Sequence, residues 1–330
     1  FRDLTLMESL IVSNNRITTL EANVFQYCPN IRDLDLSANL IESLPETVFD
    51  SLSDVESIKL DSNRLENVPE NLFSNTGDLR TLTLSNNSLT LISPILLRNL
   101  SNLEELNLRW NRIEDFQLLF FPSIQPFALD LRNNLLTYFD RAMLTVLENL
   151  DAIWLNNNRI SGIAPDTFHD AVNTTIESLE AKANLLSNIE FMKNLKHLKI
   201  LNLEGNQVSE LLGGEFNGSS NITHLMLAYN HLHRLSNESF QGLINLKVLN
   251  LSNNTINYIG PDTFVGIRTL HELYLNGNDI NSLPEDVFVS QEALEKLSLR
   301  DNGLEKISVR IIQNLPRLKH LDLSNNPIAN

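Results

Sequence analysis

Leu246-Lys247-Val248-Leu249-Asn250-Leu251-Ser252-Asn253-Asn254-Thr255-Ile256 is one copy of a phrase, L-x-x-L-x-L-x-x-N-x-L, that fills the chain. Ile31, Leu34, Leu36, Asn39 and Ile41 spell it earlier. Its asparagine returns as Asn15, Asn39, Asn63, Asn87, Asn111, Asn134, Asn158, Asn184, Asn206, Asn230, Asn254, Asn278, Asn302 and Asn326, almost every 24 residues. A fixed period of this length is the mark of a solenoid, in which each copy is one coil that cannot bury its apolar side alone.

The chemistry of each position follows from that stacking. Leu-x-Leu has a period of two, so both leucines share one face of a short strand. Stacked in parallel at roughly 4.8 Å, such strands build a continuous core. The asparagine stands where the chain turns away from the sheet. Its amide carries donors and an acceptor together, so it can satisfy backbone groups of adjacent turns, whereas an ionised aspartate could only accept. Ten residues later comes a second column: Phe25, Phe49, Phe73, Phe121, Phe168, Phe216, Phe240, Phe264 and Phe288, with Leu97, Leu144 and Ile312 in its gaps and Asn194 breaking it. These rings are expected to fill the wide side of each coil as packing, not as a binding feature.

The coil before Asn134 is short, at 23 residues, but the spacing is disturbed most in one place, where Asn158 to Asn184 is 26 residues and Asn184 to Asn206 is 22. There Ala181 replaces a strand leucine, and Glu190 to His197 reads as a helical turn.

These motifs resemble the leucine-rich repeat superfamily, specifically its 24-residue extracellular class of Toll-like receptor, Slit and chaoptin-type ectodomains. The resemblance covers essentially the whole chain. It implies an α/β solenoid of about 14 repeats, a horseshoe with the parallel sheet on its concave face and a mostly irregular convex side. It also implies ligand recognition without catalysis. The unbroken period leads us to expect a single domain over residues 1–330. Extracellular members carry cysteine caps; here Asn330 stands where the cap motif has cysteine, and Phe1 falls on the phenylalanine column, so a segment of a longer protein is expected. The lone cysteine, Cys28, occupies a place that is leucine in Leu52, Leu100 and Leu243 and is expected to be a buried apolar filler.

Net charge is −16 and pI about 4.8, which argues against nucleic acid and anionic membrane surfaces as partners. No apolar run is long enough to span a bilayer, so membrane association is expected only through segments absent from this chain. No glycine-rich phosphate loop or catalytic constellation stands out, and no cofactor is implied. Among the seven histidines, His231 and His233 are spaced for a metal but lack nearby acidic ligands.

Asn-x-Ser/Thr triplets, the acceptors of N-linked sugar, occur at Asn86, Asn99, Asn173, Asn217, Asn221, Asn237, Asn250 and Asn253. With the repeat type they point to an extracellular or cell-surface glycoprotein. Asn250 lies on a strand between Leu249 and Leu251, so sugar there would block the concave face around it.

Residues between the leucines line that face. Large aromatics on a rigid sheet are good anchors for a protein partner. Arg109, Trp110, Arg132 and Trp154 form the candidate patch, outside every sequon; Met226 and Tyr274 are further candidates, and Tyr229 stands next to its ladder asparagine as Trp110 does. The expected partner is a protein ligand or a second copy of the chain on the concave or lateral face. Two classes stay open: an adhesion or generic receptor protein, and a Toll-type innate-immune ectodomain. A secreted matrix protein is a third.

Overall fold

The computed structural model describes residues 4–116, 127–143, 150–168 and 175–329. Phe1, Phe121, Leu144, Asn173 and Asn330, named above, lie outside them, as does the side chain of Asn194. The chain divides into two compact units, Phe1–Arg159 with Asp170–Thr175 and Ile160–His169 with Ile176–Asn330.

The first unit contains β1 (Ser9–Ile11), β2 (Asp33–Asp35), β3 (Ser57–Lys59), β4 (Thr81–Thr83), β5 (Leu91–Ile92), β6 (Glu105–Asn107), β7 (Asp115–Phe116), β8 (Phe127–Asp130), β9 (Tyr138–Phe139) and β10 (Leu150–Trp154). Strands β1, β2, β3, β4, β6, β8 and β10 pair in parallel in chain order, residue 34 beside 10, 58 beside 34 and 82 beside 58. The second unit contains β11 (Gly162–Ile163), β12 (Ser178–Glu180), β13 (Ile200–Asn202), β14 (His224–Met226), β15 (Arg234–Leu235), β16 (Val248–Asn250), β17 (Tyr258–Ile259), β18 (Glu272–Tyr274), β19 (Lys296–Ser298) and β20 (His320–Asp322). Its ladder runs β12, β13, β14, β16, β18, β19, β20, again parallel and in order. This is the parallel-sheet solenoid that the period dictates. On the far side of the coils β5 pairs with β7 and β15 with β17. Among the described residues the α-helix is confined to Val309–Gln313.

The asparagine ladder works mainly through three bonds per coil, with a longer one to the carbonyl two residues back in most. Asn63 Nδ2 donates to Leu60 O at 3.0 Å in its own turn and to Leu36 O at 3.1 Å one coil back, while its Oδ1 accepts from Ile41 N at 3.0 Å. Asn111, Asn134, Asn158, Asn230 and Asn278 repeat the pattern. A buried carbonyl left unpaired costs about 1–3 kcal/mol, which is why every coil keeps the amide.

Phe25, Phe49 and Phe73 stack in the first unit and Phe240, Phe264 and Phe288 in the second, with centroids 5.6–6.1 Å apart. Leu97 is buried in the same role. Two places correct the sequence reading. In the coil where Asn194 breaks the column, the 3-10 turn Glu190–Asn194 brings Phe191 inward, and its ring lies 6.1 Å from Phe168. In the helix Val309–Gln313 the buried residue is Ile311, and Ile312 is only half-buried, because a helix turns about 100° per residue where the other coils run irregularly. Cys28 is fully buried and Ala181 fills its strand position against the core.

Candidate protein-recognition face

The strands put every second residue on the core side, so the residues between the leucines stand on the open face. In the first unit the patch is assembled from two successive coils and the start of a third. Trp110 N donates to Arg132 O at 2.9 Å, which fixes those two residues side by side. The Arg132 guanidinium lies 5.0 Å from the centre of the Trp154 ring. It also grips Asp130 with two bonds, Nε to Oδ1 at 2.9 Å and Nη2 to Oδ2 at 2.6 Å, and Asp130 is buried. The bidentate clamp and the stacking leave Arg132 little rotamer freedom, so ordering it on binding costs little. Arg109 is exposed and, among the described residues, forms no ion pair.

Trp110 is the most unusual member. Its backbone is left-handed, φ 57°, and its side chain is 58% exposed. The equivalent place in other coils holds Asn14, Ala38, Ser62, Asn86, Asn133 and Asn157 at similar φ. Asparagine tolerates that conformation; for other L-residues it costs roughly 1 kcal/mol or more. Several of those small side chains tie coil to coil, as Asn86 Nδ2 to Ser62 Oγ at 3.0 Å and Asn157 Nδ2 to Asn133 Oδ1 at 3.0 Å. The indole of Trp110 makes no such bond among the described residues. The left-handed φ belongs to the residue before every ladder asparagine; what is particular here is a large exposed indole in that place, with, among the described residues, no partner for its N–H and no ion pair for the neighbouring Arg109.

In the second unit Tyr229 repeats the case, with φ 56° and 62% exposure. The other candidates there are less available. Met226 is half-buried on β14. Tyr274 on β18 is half-buried, its hydroxyl donating to Glu272 at 2.5 Å, with the Lys296 ammonium 4.9 Å from its ring. Burial first, then the bond to Glu272, holds the Tyr274 phenol above its ordinary pKa, so it stays neutral through the physiological range. Asn250 stands between them in register with both. Its Nδ2 reaches Glu204 at 3.2 Å, and its Oδ1 accepts from Ser252 N at 3.1 Å and Ser252 Oγ at 2.6 Å. The structure thus groups Arg109, Trp110, Arg132 and Trp154 in the first unit, and places Met226 and Tyr274 in a separate row of the second. The buried Asp130 that anchors Arg132 escaped the sequence reading; its signal was the D-x-R spacing at a strand end.

A family model described as leucine rich repeat matches residues 5–65, 54–113, 220–280 and 268–328. None of the curated proteins matches the chain. Among solved structures, the chain is similar to a leucine-rich repeat protein of Leptospira interrogans, with a TM-score of 0.82 at 25% identity over 98% of this chain and 80% of that one. It is similar to the leucine-rich repeat domain of APL1B, with a TM-score of 0.76 at 26% identity over 93% and 87%. It is also similar to TLR13 as solved in complex with ssRNA13, with a TM-score of 0.77 at 25% identity over 94% of this chain and 49% of that one. The four matched stretches cover well over half of the residues, each holding the Leu-x-Leu strands and ladder asparagines described above: the chain belongs to the leucine-rich repeat family.

Proposed function

We propose that the chain is an extracellular protein-recognition module of a cell-surface adhesion or receptor protein, contacting its partner through Arg109, Trp110, Arg132 and Trp154. The observation that carries this reading is Trp110, a large exposed indole at a place where the other coils mostly carry asparagine, serine, alanine or glycine, next to an arginine without an ion pair among the described residues. Tryptophan and arginine are the residues most enriched among interface hot spots. The partner is a protein surface offering an apolar side chain to the indole and a carboxylate to Arg109, and a second copy of the chain is one form it takes. The sequons, and a repeat period typical of ectodomains, support the extracellular placement.

A Toll-type ectodomain is the second reading. It draws on the similarity to TLR13, of which this chain spans about half the length. The charge of −16 favours a protein over a nucleic acid as the ligand in either case.

The test is Trp110→Asn. The covered two-fifths of the indole contributes about 2 kcal/mol by area, and the relieved left-handed strain returns roughly 1 kcal/mol. The variant should therefore stay folded, with stability lowered by no more than about 2 kcal/mol. Loss of a hot-spot anchor costs about 2 kcal/mol or more of affinity, a weakening of about 30-fold. Binding would be read on an array of purified ectodomains that includes the chain itself, for parent, Trp110→Asn and Arg109→Glu. Equal affinity of all three for the partner found would reject the patch.

A further inference from the structure

We propose that the open face of β18, β19 and β20 holds a second binding site, a notch over Ser298 that takes an extended acidic peptide segment of a partner protein. The site lies wholly in the second unit and does not depend on the Trp110 patch.

The notch follows from residue size at one register position. Tyr274 on β18, Ser298 on β19 and Asp322 on β20 are directly paired neighbours. Each stands between two leucines of its own repeat, so the three side chains rise on the same face. A phenol and a carboxylate thus flank a hydroxymethyl group, and the face dips between them. Ser298 is buried at the bottom, under a groove of about 560 Å³. Both walls are held in place. The Tyr274 hydroxyl donates to Glu272 Oε2 at 2.5 Å, and Asp322 Oδ1 accepts from Ser324 N at 3.0 Å and Ser324 Oγ at 2.6 Å.

Cations stand at both ends. Lys296, two residues before Ser298, has its ammonium 4.9 Å from the centre of the Tyr274 ring and, among the described residues, no carboxylate partner. Arg300, two residues after Ser298, gives Asp301 only its Nε, at 2.9 Å, and keeps its terminal nitrogens for a ligand. Lys319 and His320 line the Lys296 end. Lys319 is paired with Glu295 at 2.8 Å, but the pair is largely exposed and such pairs are worth at most about 1 kcal/mol, so an incoming carboxylate can share the ammonium. Glu272, Glu295 and Asp301 stand behind the lining, each already bonded as described. In a chain of net charge −16, this groove is therefore lined by Lys296, Arg300 and Lys319 against Asp322 alone.

The ligand's chemistry follows from that lining. Lys296 and Arg300 are four residues apart, at most roughly 13 Å. On an extended segment lying along β19, side chains of one face recur about every 7 Å, so carboxylates two to four residues apart meet both cations. A bare polyanion fits less well. The Ser324 bonds hold the Asp322 carboxyl below the usual carboxylate range, so this wall stays negative at neutral pH. Its Oδ2 accepts no hydrogen bond among the described residues. A peptide brings N–H groups for that acceptor together with carboxylates for the cations, and phosphate oxygens bring only repulsion to it.

The experiment selects random peptides displayed on phage against the purified chain and measures the winners by fluorescence anisotropy. Peptides carrying two Asp or Glu residues two to four positions apart are the expected result. Lys296→Gln and Arg300→Gln should each weaken them roughly tenfold, the loss of one charge-assisted bond. Ser298→Trp, which fills the notch, should abolish binding, and Trp110→Asn should leave it unchanged. Thermal melts check each variant; should Ser298→Trp fail to fold, the two glutamine variants decide. Recovery of no peptide, or of basic or apolar ones, would overturn the proposal. So would acidic peptides indifferent to both glutamine substitutions. Inorganic polyphosphate that displaces the peptides at equal concentration would reduce the notch to a plain anion site and overturn its peptide selectivity.

Discussion

Asn278→Asp should lower the stability of the second unit by about 3–5 kcal/mol at neutral pH. The buried amide of Asn278 donates to Leu251 O at 3.0 Å and to Leu275 O at 2.9 Å, and accepts from Ile256 N at 3.0 Å. The substitution keeps the size and the acceptor and removes both donors. An ionised carboxylate would face two carbonyl oxygens in a site closed to water. A protonated one would still satisfy only one of them. The pH dependence has a definite sign. Burial and the facing carbonyls disfavour the anion, so the folded-state pKa of the introduced carboxyl rises above its unfolded value of about 3.9. The folded form then binds more protons over that interval, and stability falls as pH rises through it. The loss is smallest in acid and complete above the folded-state pKa. Urea unfolding between acid and neutral pH, together with hydrogen exchange at the Ile256 amide, reads both effects. A pH-independent midpoint equal to that of the parent would mean the ladder is ornament and the sheet alone carries the coils.

That ladder was legible because a repeating chemical need leaves a repeating letter. Asn39 and Asn254 answer the same orphan carbonyls, so the sequence must show the same residue at the same interval. The phenylalanine column was legible for the same reason, until the coil geometry changed. Phe191 took the place expected at position 194 because a 3-10 turn advances the chain differently from an irregular coil, and a column count carries no information about that. Phe116 and Phe139 are also fully buried, but in another column, five residues after the ladder asparagine, where Ile92, Ile163 and Leu235 stand in other coils.

The recognition face was less legible still. Counting placed Trp110 next to a ladder asparagine, but could not show that the place is left-handed in every coil or that this indole stands more than half exposed there. Nor could it show that Arg132 is clamped by a buried Asp130, while Tyr274 is already occupied by Glu272 and Lys296. Periodicity reports what all coils share. Binding surfaces are made from what one coil does alone, and there only the side-chain geometry decides.

Phe264→Ala should be as damaging as the loss of a ladder amide, by about 3–5 kcal/mol, and by a different route. The Phe264 ring is fully buried, with its centroid 6.1 Å from that of Phe240 and 5.6 Å from that of Phe288. Truncation removes the transfer energy of the ring and leaves a cavity between two rings that cannot close it, because each belongs to a coil fixed by its own asparagine. Phe264→Leu separates the two contributions. Leu97 occupies this position in the first unit and is buried there, so a coil accommodates the smaller side chain. We expect Phe264→Leu to cost about 1–2 kcal/mol, well under half the alanine value. Denaturant midpoints and hydrogen exchange across β16, β18 and β19 would read the series. In an array of nearest-neighbour contacts the damage should fall mainly on the coils either side of the cavity. Protection lost evenly from β12 to β20 would instead mean the second unit unfolds as one cooperative body, and that the spine binds all its coils together.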